Sequence, residues 1–359
     1  MDDISFSICI PNYNYEKYIG STIQSVLNQT FPRFEIVVVD NASTDNSVGV
    51  VKQFHDDRIR LFENKYNVGY SPNLDIAVSK ARNKFILILS SDDLMKPTAL
   101  EDYYKVIKQF GDDACKALIV SSYDLIDSNG RKFADRNKDF HIQIDAESES
   151  REIIEGKSVF CYRGLRLFRH LYLKFTVASA FCSTMYSREL YERVGGYSSI
   201  YHIIPDCHLT YKALLADNRV IFIDKDLFSY RVHGTNQLST DKTRKRIIFP
   251  IDYYQLTLQY SDAELKKAKV ERKEVADRFI NDICIKYSYI QLREGSAYQA
   301  FRYLMFGIAA YPERMIRNYK FFILFPMILT GRIGTYLSGL IYKVWKRFHS
   351  EKGIESKRQ

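Results

Sequence analysis

Over roughly the first hundred residues the apolar positions switch repeatedly between alternation and helical spacing, the rhythm of strands interleaved with helices. Residues 6–10 alternate apolar and polar side chains and stop at Pro11-Asn12-Tyr13-Asn14, which predicts a short strand ending in a polar loop. Residues 34–39 form a near-continuous β-branched run that stops at Asp40-Asn41-Ala42-Ser43-Thr44-Asp45. A third strand is predicted at 59–62, and a fourth at 85–89, where Phe-Ile-Leu-Ile-Leu ends abruptly in Ser90-Ser91-Asp92-Asp93. Between them Ile19, Ile23, Val26 and Leu27 follow helical spacing behind Asn14 as a cap, and Ser43 is placed to cap a second helix. Ser71 as cap and Pro72 at the first helical position predict a third helix to about residue 81. This order is the signature of a parallel sheet with right-handed crossovers.

Beyond residue 110 strands are predicted at 117–121 and 123–127 with a hairpin at Asn129-Gly130, a strong turn pair. Then come a strand at 181–186, a helix at 188–194, the turn Gly195-Gly196-Tyr197, a helix at 207–216 and a strand at 220–223. Arg163, Arg166, Arg169, His170 and Lys174 read either as a solvated basic face or as a phosphate clamp. Residues 241–298 read as helices, with the charged stretch 266–278 as a solvated face.

The chemistry gathers at the strand ends. In an open α/β sheet the ligand crevice lies at the carboxyl ends of the strands. Hard oxygen ligands such as Asp92 and Asp93 at that position suit Mg²⁺ or Mn²⁺ carrying a substrate's phosphates, although Asp92 could equally cap a following helix.

Taken in order, Pro11-Asn12-Tyr13-Asn14, Val38-Val39-Asp40-Asn41-Ala42-Ser43-Thr44-Asp45, Asn67-Val68-Gly69 with Asn73, and Asp92-Asp93 followed by Pro97 resemble the family 2 glycosyltransferases, inverting enzymes with the GT-A fold. The likeness is clearest over 4–110 and continues more weakly to about 235. It implies an α/β GT-A domain, a Rossmann-like, mostly parallel twisted sheet flanked by helices, with a nucleotide-sugar-binding half at 1–110 and an acceptor half at 111–240. It implies nucleotide contacts from Pro11, Tyr13, Asn14, Asp40, Asn67, Asn73, Ser91 and Asp92, with Asp40 reading the base, usually uracil. The physical sense is sound, since a carboxylate oxygen can accept from a ring N–H and a Tyr13 ring can cover a base face. The family's usual Asp-any-Asp is here Ser90-Ser91-Asp92, so Asp92 matches the metal-contacting member, and the Ser90 hydroxyl can bond a ribose or a water but brings no charge. Pro205-Asp206-Cys207-His208-Leu209 resembles the segment carrying the general base, with Pro205 in place of a Glu and Asp206 matching the base; a helix-capping Asp206 is the structural alternative. His208 falls on the other side of that helix and is read as structural. Tyr230-Arg231-Val232-His233-Gly234-Thr235-Asn236 resembles a recurrent loop of these enzymes, which makes His233 a second metal ligand or a donor to the departing diphosphate.

Composition changes the picture in two places. Six scattered cysteines without a Cys-x-x-Cys pair argue against a zinc site and a disulfide framework and fit a reducing cytosol, and the acidic start Met1-Asp2-Asp3 does not read as a signal peptide. Charge is concentrated at one end: residues 300–359 hold eleven Lys and Arg against three Glu, a net +8 of the chain's +9. The same region carries apolar, aromatic runs broken by Pro326, Gly331, Gly334 and Gly339, short of the roughly 20 uncharged residues of a clean span. Residues 241–359 are therefore expected to be a helical, basic appendage associating with an anionic membrane surface, with a packed core, an oligomer contact or a kinked span as alternatives. The expected protein is cytoplasmic and peripheral on the inner face of the cell membrane, with a nucleotide sugar as donor and a lipid-linked or other saccharide as acceptor, and no nucleic acid among its partners. A dinucleotide-dependent oxidoreductase is disfavoured, because no Gly-x-Gly-x-x-Gly follows the first strand. A non-catalytic nucleotide-sugar binder or scaffold stays open through Ser90 and Pro205.

Overall fold

The computed structural model describes residues 4–134, 148–197, 200–201, 204–234 and 248–340. Thr235 and Asn236 of the histidine loop and the last stretch of the basic tail, from 341, lie outside the described residues. The chain divides into two compact units, Met1–Thr240 and Asp241–Gln359.

In the first unit the strands are β1 (Phe6–Asn12), β2 (Phe34–Asp40), β3 (Ile59–Glu63), β4 (Phe85–Ile88), β5 (Leu94–Met95), β6 (Ala117–Ile126), β7 (Lys132–Ala134), β8 (Ser150–Ile154), β9 (Lys157–Tyr162), β10 (Thr184–Ser187) and β11 (Arg219–Arg231). They form one sheet in the order β3-β2-β1-β4-β10-β6-β11-β9-β8, with β5 on β11 and β7 on β6. The first four are mutually parallel, as the pattern predicts. β10 then enters antiparallel between β4 and β6, so the sheet is mixed beyond that point, although β6 and β11 are again parallel. Strands β1, β2 and β4 are buried almost throughout, which is why β2 and β4 read as near-continuous apolar runs; β1 is as buried, but its alternation includes Ser7, whose hydroxyl is satisfied by Glu35. Their register aligns Asn12 with Asp40, and Asp40 with Glu63, so the polar loops leave one edge of the sheet side by side.

Helices α1 (Glu16–Leu27), α2 (Ser47–Lys52) and α3 (Tyr70–Lys80) are the crossovers, and α4 (Ala99–Phe110) packs behind β6 through Tyr103, whose hydroxyl donates to Ser183 O at 2.8 Å. Their starts differ from expectation for one physical reason, since each expected cap is taken by a distant partner. Asn14, at φ +60, accepts from Thr44 N instead of capping α1. Ser43 Oγ accepts from Asn14 N, 29 positions away, while donating to Asp40, and α2 begins four residues later at Ser47. Ser71 lies inside α3 and donates to Tyr201 O, while Gly69 at φ +93 makes the turn and Pro72 sits in the first turn, where no N–H is needed. The two strands expected at 117–127 are one, β6, closed by the hairpin at Asn129-Gly130. The strand expected at 181–186 is a 3₁₀ turn, Phe181–Ser183, leading into β10. The basic set at 163–174 lies on helix Gly164–Leu173 and its two flanking residues, with Arg163, Arg166, Arg169 and Lys174 exposed.

The second unit is helical throughout its described part. Ser261 and Glu264 close a capping box, and Arg272–Arg278 runs through a π-helical stretch, Phe279–Ile285, into Lys286–Arg293. Ala297–Ala310, Pro312–Ile316 and Tyr319–Leu329 follow.

Gly164 starts its helix against the end of helix Pro205–Leu215, where a Cβ would collide with Asn218 O and lie 2.6 Å from Leu214 O. Gly164→Ala should therefore destabilise the first unit by about 1–3 kcal/mol, the usual range for overpacking, visible as a lowered thermal midpoint.

Candidate active site

Asp40 closes the end of β2. Its carboxylate accepts from Asn12 Nδ2 at 2.7 Å, Ser43 N at 2.8 Å and Ser43 Oγ at 2.6 Å, so the loop is folded around the acid and the acid is held rigid. Asn12 Oδ1 beside it is buried and has no hydrogen-bond partner. Tyr13 is 42% exposed at the rim, and Asn14 ties the first loop to the second. The next loop is organised by Asn41, which sequence reasoning did not single out. It donates to Asn67 Oδ1 and Gly69 O and accepts from Val68 N and Asn64 Nδ2. Asn73 is buried behind it, donating to Val39 O and accepting from Asn64. Asn67 and Asn73 therefore stand beside the crevice with their amides engaged in its framework.

Opposite, the loop after β4 is held by Ser91 Oγ donating to Pro11 O at 2.8 Å, across the point where the strand order reverses. Arg231, at the end of β11 and only 4% exposed, anchors that loop from the far side of the sheet. Its Nε donates to Asp92 O at 2.7 Å, its backbone N to Asp93 Oδ1 at 2.9 Å and Nη1 to Asp127 O at 3.2 Å, while the guanidinium lies 5.0 Å from the Tyr18 ring. Two residues on, His233 Nε2 meets Asp92 Oδ2 at 2.9 Å, and its ring packs 4.6 Å from Tyr18 and 6.0 Å from Tyr15. The two expected metal residues are thus brought together. Asp93 is the buried member of the acidic pair: burial, and next the charge of Asp92, push its carboxyl well above the usual carboxylate range. Its Oδ2 has no well-formed hydrogen bond, although Cys182 and Ser90 lie close enough to favour the charged form slightly.

The fit to a divalent cation can be judged from these donors. Ligands about 2.1 Å from one Mg²⁺ or Mn²⁺ at right angles are about 3 Å apart, which is the spacing of Asp92 Oδ2 and His233 Nε2. Among the described residues no group of three or more His, Cys, Asp or Glu converges. The pair fits an ion that takes its remaining oxygens from phosphate and water.

Asp206 arrives from the second half of the sheet. Pro205 occupies the first position of helix Pro205–Leu215, so the helix starts two residues earlier than expected and Asp206 sits in its first turn. Burial raises its carboxyl to about 6, only partly offset by the N–H groups of Cys207 and Asp206 itself. It lines a small cavity of about 10 Å³, hardly more than the room of one water, with Phe181, Tyr186, Tyr197, Ser179 and Thr210. Helix α3 holds the segment leading there. Asp75 accepts from the Tyr191 hydroxyl and from Tyr197 N, and Gly196, at φ +67, leaves no room for a Cβ beside Tyr191. At the start of α3, Tyr70 has its phenol raised well above the usual range, by burial first and then by Asp206, with Tyr15 and Asp92 contributing less. The ring therefore lies within electrostatic range of both carboxylates. Tyr70 was legible only as the residue after Gly69. His208 is buried with its ring 5.0 Å from Tyr201.

The strand-end crevice thus has an Asp–His pair on one side and a buried carboxyl on the other, and residues 7–175 match the description Glycosyl transferase family 2. Residues 7–175 thus carry a family 2 glycosyltransferase domain. Among its relatives is the Escherichia coli UDP-Glc:alpha-D-GlcNAc-diphosphoundecaprenol beta-1,3-glucosyltransferase WfgD, 41% identical over 101 residues, 28% of this chain and 40% of that protein. The structure of S. aureus TarS 1–349 in complex with UDP-GlcNAc shares the fold at a TM-score of 0.57 and 19% identity, covering 94% of this chain and 89% of that one. The Pyrobaculum calidifontis mannosyltransferase PcManGT, in complex with GDP-Man and Mn²⁺, shares it at 0.51 and 17%, covering 95% and 87%. The matches to the first curated relatives span 31–41% of their length.

Arg231→Met should cost on the order of 2–4 kcal/mol by thermal denaturation, because it removes a charged donor from the Asp92 and Asp127 carbonyls and leaves them buried.

Proposed function

We propose that the protein transfers a sugar from a nucleotide sugar, a UDP-sugar in the first instance, to an acceptor hydroxyl with inversion. The observation that carries this reading is the placement of Asp206: a carboxyl raised to about 6, facing a cavity, in electrostatic reach of the same tyrosine as Asp92. At neutral pH such a group is ionised yet basic enough to take a proton, the condition for a general base. The acceptor hydroxyl gives its proton to Asp206 as its oxygen bonds to the anomeric carbon, and the bond from that carbon to the diphosphate breaks. The nucleoside diphosphate leaves on the opposite face.

Residues 1–110 supply the donor side of this reaction. Asp40, held by Ser43 and Asn12, accepts from the base N–H, and Tyr13 at the rim covers the base, while Pro11, Asn14, Asn67, Asn73 and Ser91 shape the loops around it. A bound Mg²⁺ or Mn²⁺ held by Asp92 and His233 would neutralise charge on the diphosphate; the Mn²⁺ in the PcManGT structure supports that choice. Residues 111–240 supply the acceptor side, with Phe181, Tyr186 and Tyr197 forming an aromatic wall beside Asp206. WfgD's printed substrate, a diphosphoundecaprenol-linked sugar, supports a lipid-linked saccharide as acceptor here, with the protein working peripherally on the cytoplasmic face of the membrane.

The pH profile tests the base. Below about pH 6 turnover should fall about tenfold per unit as Asp206 protonates, and level off above. Asp206→Asn should abolish that limb and lower turnover by about 10² or more with UDP binding nearly intact; retained turnover would assign the base elsewhere or, if both proteins are inactive, favour a binding scaffold.

Calorimetric titration with UDP separates the other roles. Asp92→Ala should remove most of the Mn²⁺ dependence of binding, and His233→Ala part of it. Asp40→Ala should weaken binding by about tenfold with or without metal, the loss of one charged hydrogen bond. Unchanged metal dependence in Asp92→Ala would refute the metal assignment.

A further inference from the structure

The second unit presents apolar side chains that none of its described helices covers. Helix Tyr319–Leu329 is apolar nearly all round, which an ordinary surface helix is not. Leu324 and Ile328 turn inward and are buried, and Phe325 packs 6.4 Å from Phe301. The outer stripe, at helical spacing, is Tyr319, Phe322, Ile323 and Leu329, with Tyr319 69% and Leu329 66% exposed. Residues 332–340 are helical too, and there Ile333, Tyr336, Leu337 and Leu340 repeat the same spacing and are again exposed.

This is a built corner. Gly331 turns the chain at φ +57, and Gly334 lies so close to the first helix that a Cβ would strike the carbonyl of Met327. Ser338 is buried, and its carbonyl accepts from the Tyr289 hydroxyl at 2.8 Å. Both short helices are thereby fixed to their own unit on one side and left apolar on the other.

We propose that this corner seats in a single leaflet of an anionic phospholipid bilayer, its two helices lying in the headgroup layer with Tyr319 and Tyr336 at the interface. Length decides against crossing: eleven residues rise about 16 Å, against a hydrocarbon core of about 30 Å, and among the described residues no helix is long and apolar enough to cross a membrane. Charge decides between lipid and a second copy. Arg317 and Arg332 are exposed at the two ends of the first helix, and residues 300–359 carry eleven Lys and Arg against three Glu. Two such surfaces facing each other would set like charges together, whereas an anionic leaflet takes up both the apolar stripes and the cations. The proposal concerns binding alone and stands or falls separately from the transfer reaction.

Cosedimentation of the full chain with phosphatidylglycerol–phosphatidylethanolamine vesicles, against pure phosphatidylcholine, tests it. Wild type should bind the anionic vesicles and retain part of that binding in 1 M salt. Phe322→Glu with Tyr336→Glu should lose at least about tenfold, since two interfacial apolar anchors become charged. Arg317→Glu with Arg332→Glu, on the surface and without consequence for folding, should lose binding severalfold to anionic vesicles only, which decides the matter if the first variant melts early. Binding by both variants equal to wild type, or no binding by wild type, overturns the proposal. So does a concentration-dependent dimer in sedimentation velocity that the Phe322→Glu, Tyr336→Glu variant dissolves, which would assign the face to a second copy. Resistance of the bound protein to alkaline extraction would replace the single-leaflet seat with a span.

Discussion

The site is held together by a buried cation. Arg231 ends β11, a strand of thirteen residues that runs parallel to β6, and places its guanidinium under the loop of Asp92 and Asp93. A buried charge is costly unless its donors are satisfied and opposite charge is near. Here the carbonyls of Asp92 and Asp127 take the donors, the Tyr18 ring takes one face, and the acidic pair stands alongside. Once that cation is fixed, little freedom is left to the next two residues. His233 arrives against Asp92 across 141 positions of sequence, and two chemical groups that neither half of the sheet could assemble alone become neighbours.

Helix α3 ties the two sides of the crevice together. Its first turn is set by Gly69 and the Asn41 network on the nucleotide side. Its body grips the opposite side through Ser71 on Tyr201 and Asp75 on Tyr191 and Tyr197. Tyr70, at its head, registers both Asp206 and Asp92. One rigid element thus relates the loop proposed to read the nucleotide to the segment presenting the proposed base, and a catalytic constellation needs its groups positioned within a fraction of an ångström. The two acidic groups also differ in a useful way. Asp206 borders a small cavity and is raised only to about 6, whereas Asp93, bonded by Arg231 N, is pushed well above the carboxylate range, which suits it to hold structure more than to exchange protons.

Much of this was legible in the chain, and for a physical reason. Strands buried on both faces are mostly apolar, so β2 and β4 announce themselves as continuous runs and β1 by its alternation, and the abrupt change to polar residues marks where the sheet ends and the ligand crevice begins. The family motifs sit at those ends, which is why Asp40, Asp92, Asp206 and His233 could be singled out. Helix starts were less legible. Asn14, Ser43 and Ser71 have the chemistry of caps, but a cap bond is worth about 1 kcal/mol and a distant partner of similar strength displaces it.

What the sequence by itself determined is the set of elements, the residues carried at their ends and the excess of positive charge beside apolar runs in the last sixty residues, because local period and composition are properties of neighbouring positions. What only the tertiary structure decided is which of those residues meet and in what surroundings. That His233 pairs with Asp92, that Arg231 is a buried strut, that Asp206 is lifted toward 6 while Asp93 is sealed, and that one stripe of helix Tyr319–Leu329 stays uncovered all depend on desolvation and contact between segments far apart in the chain. Burial is a property of the packed whole, and no window of sequence contains it.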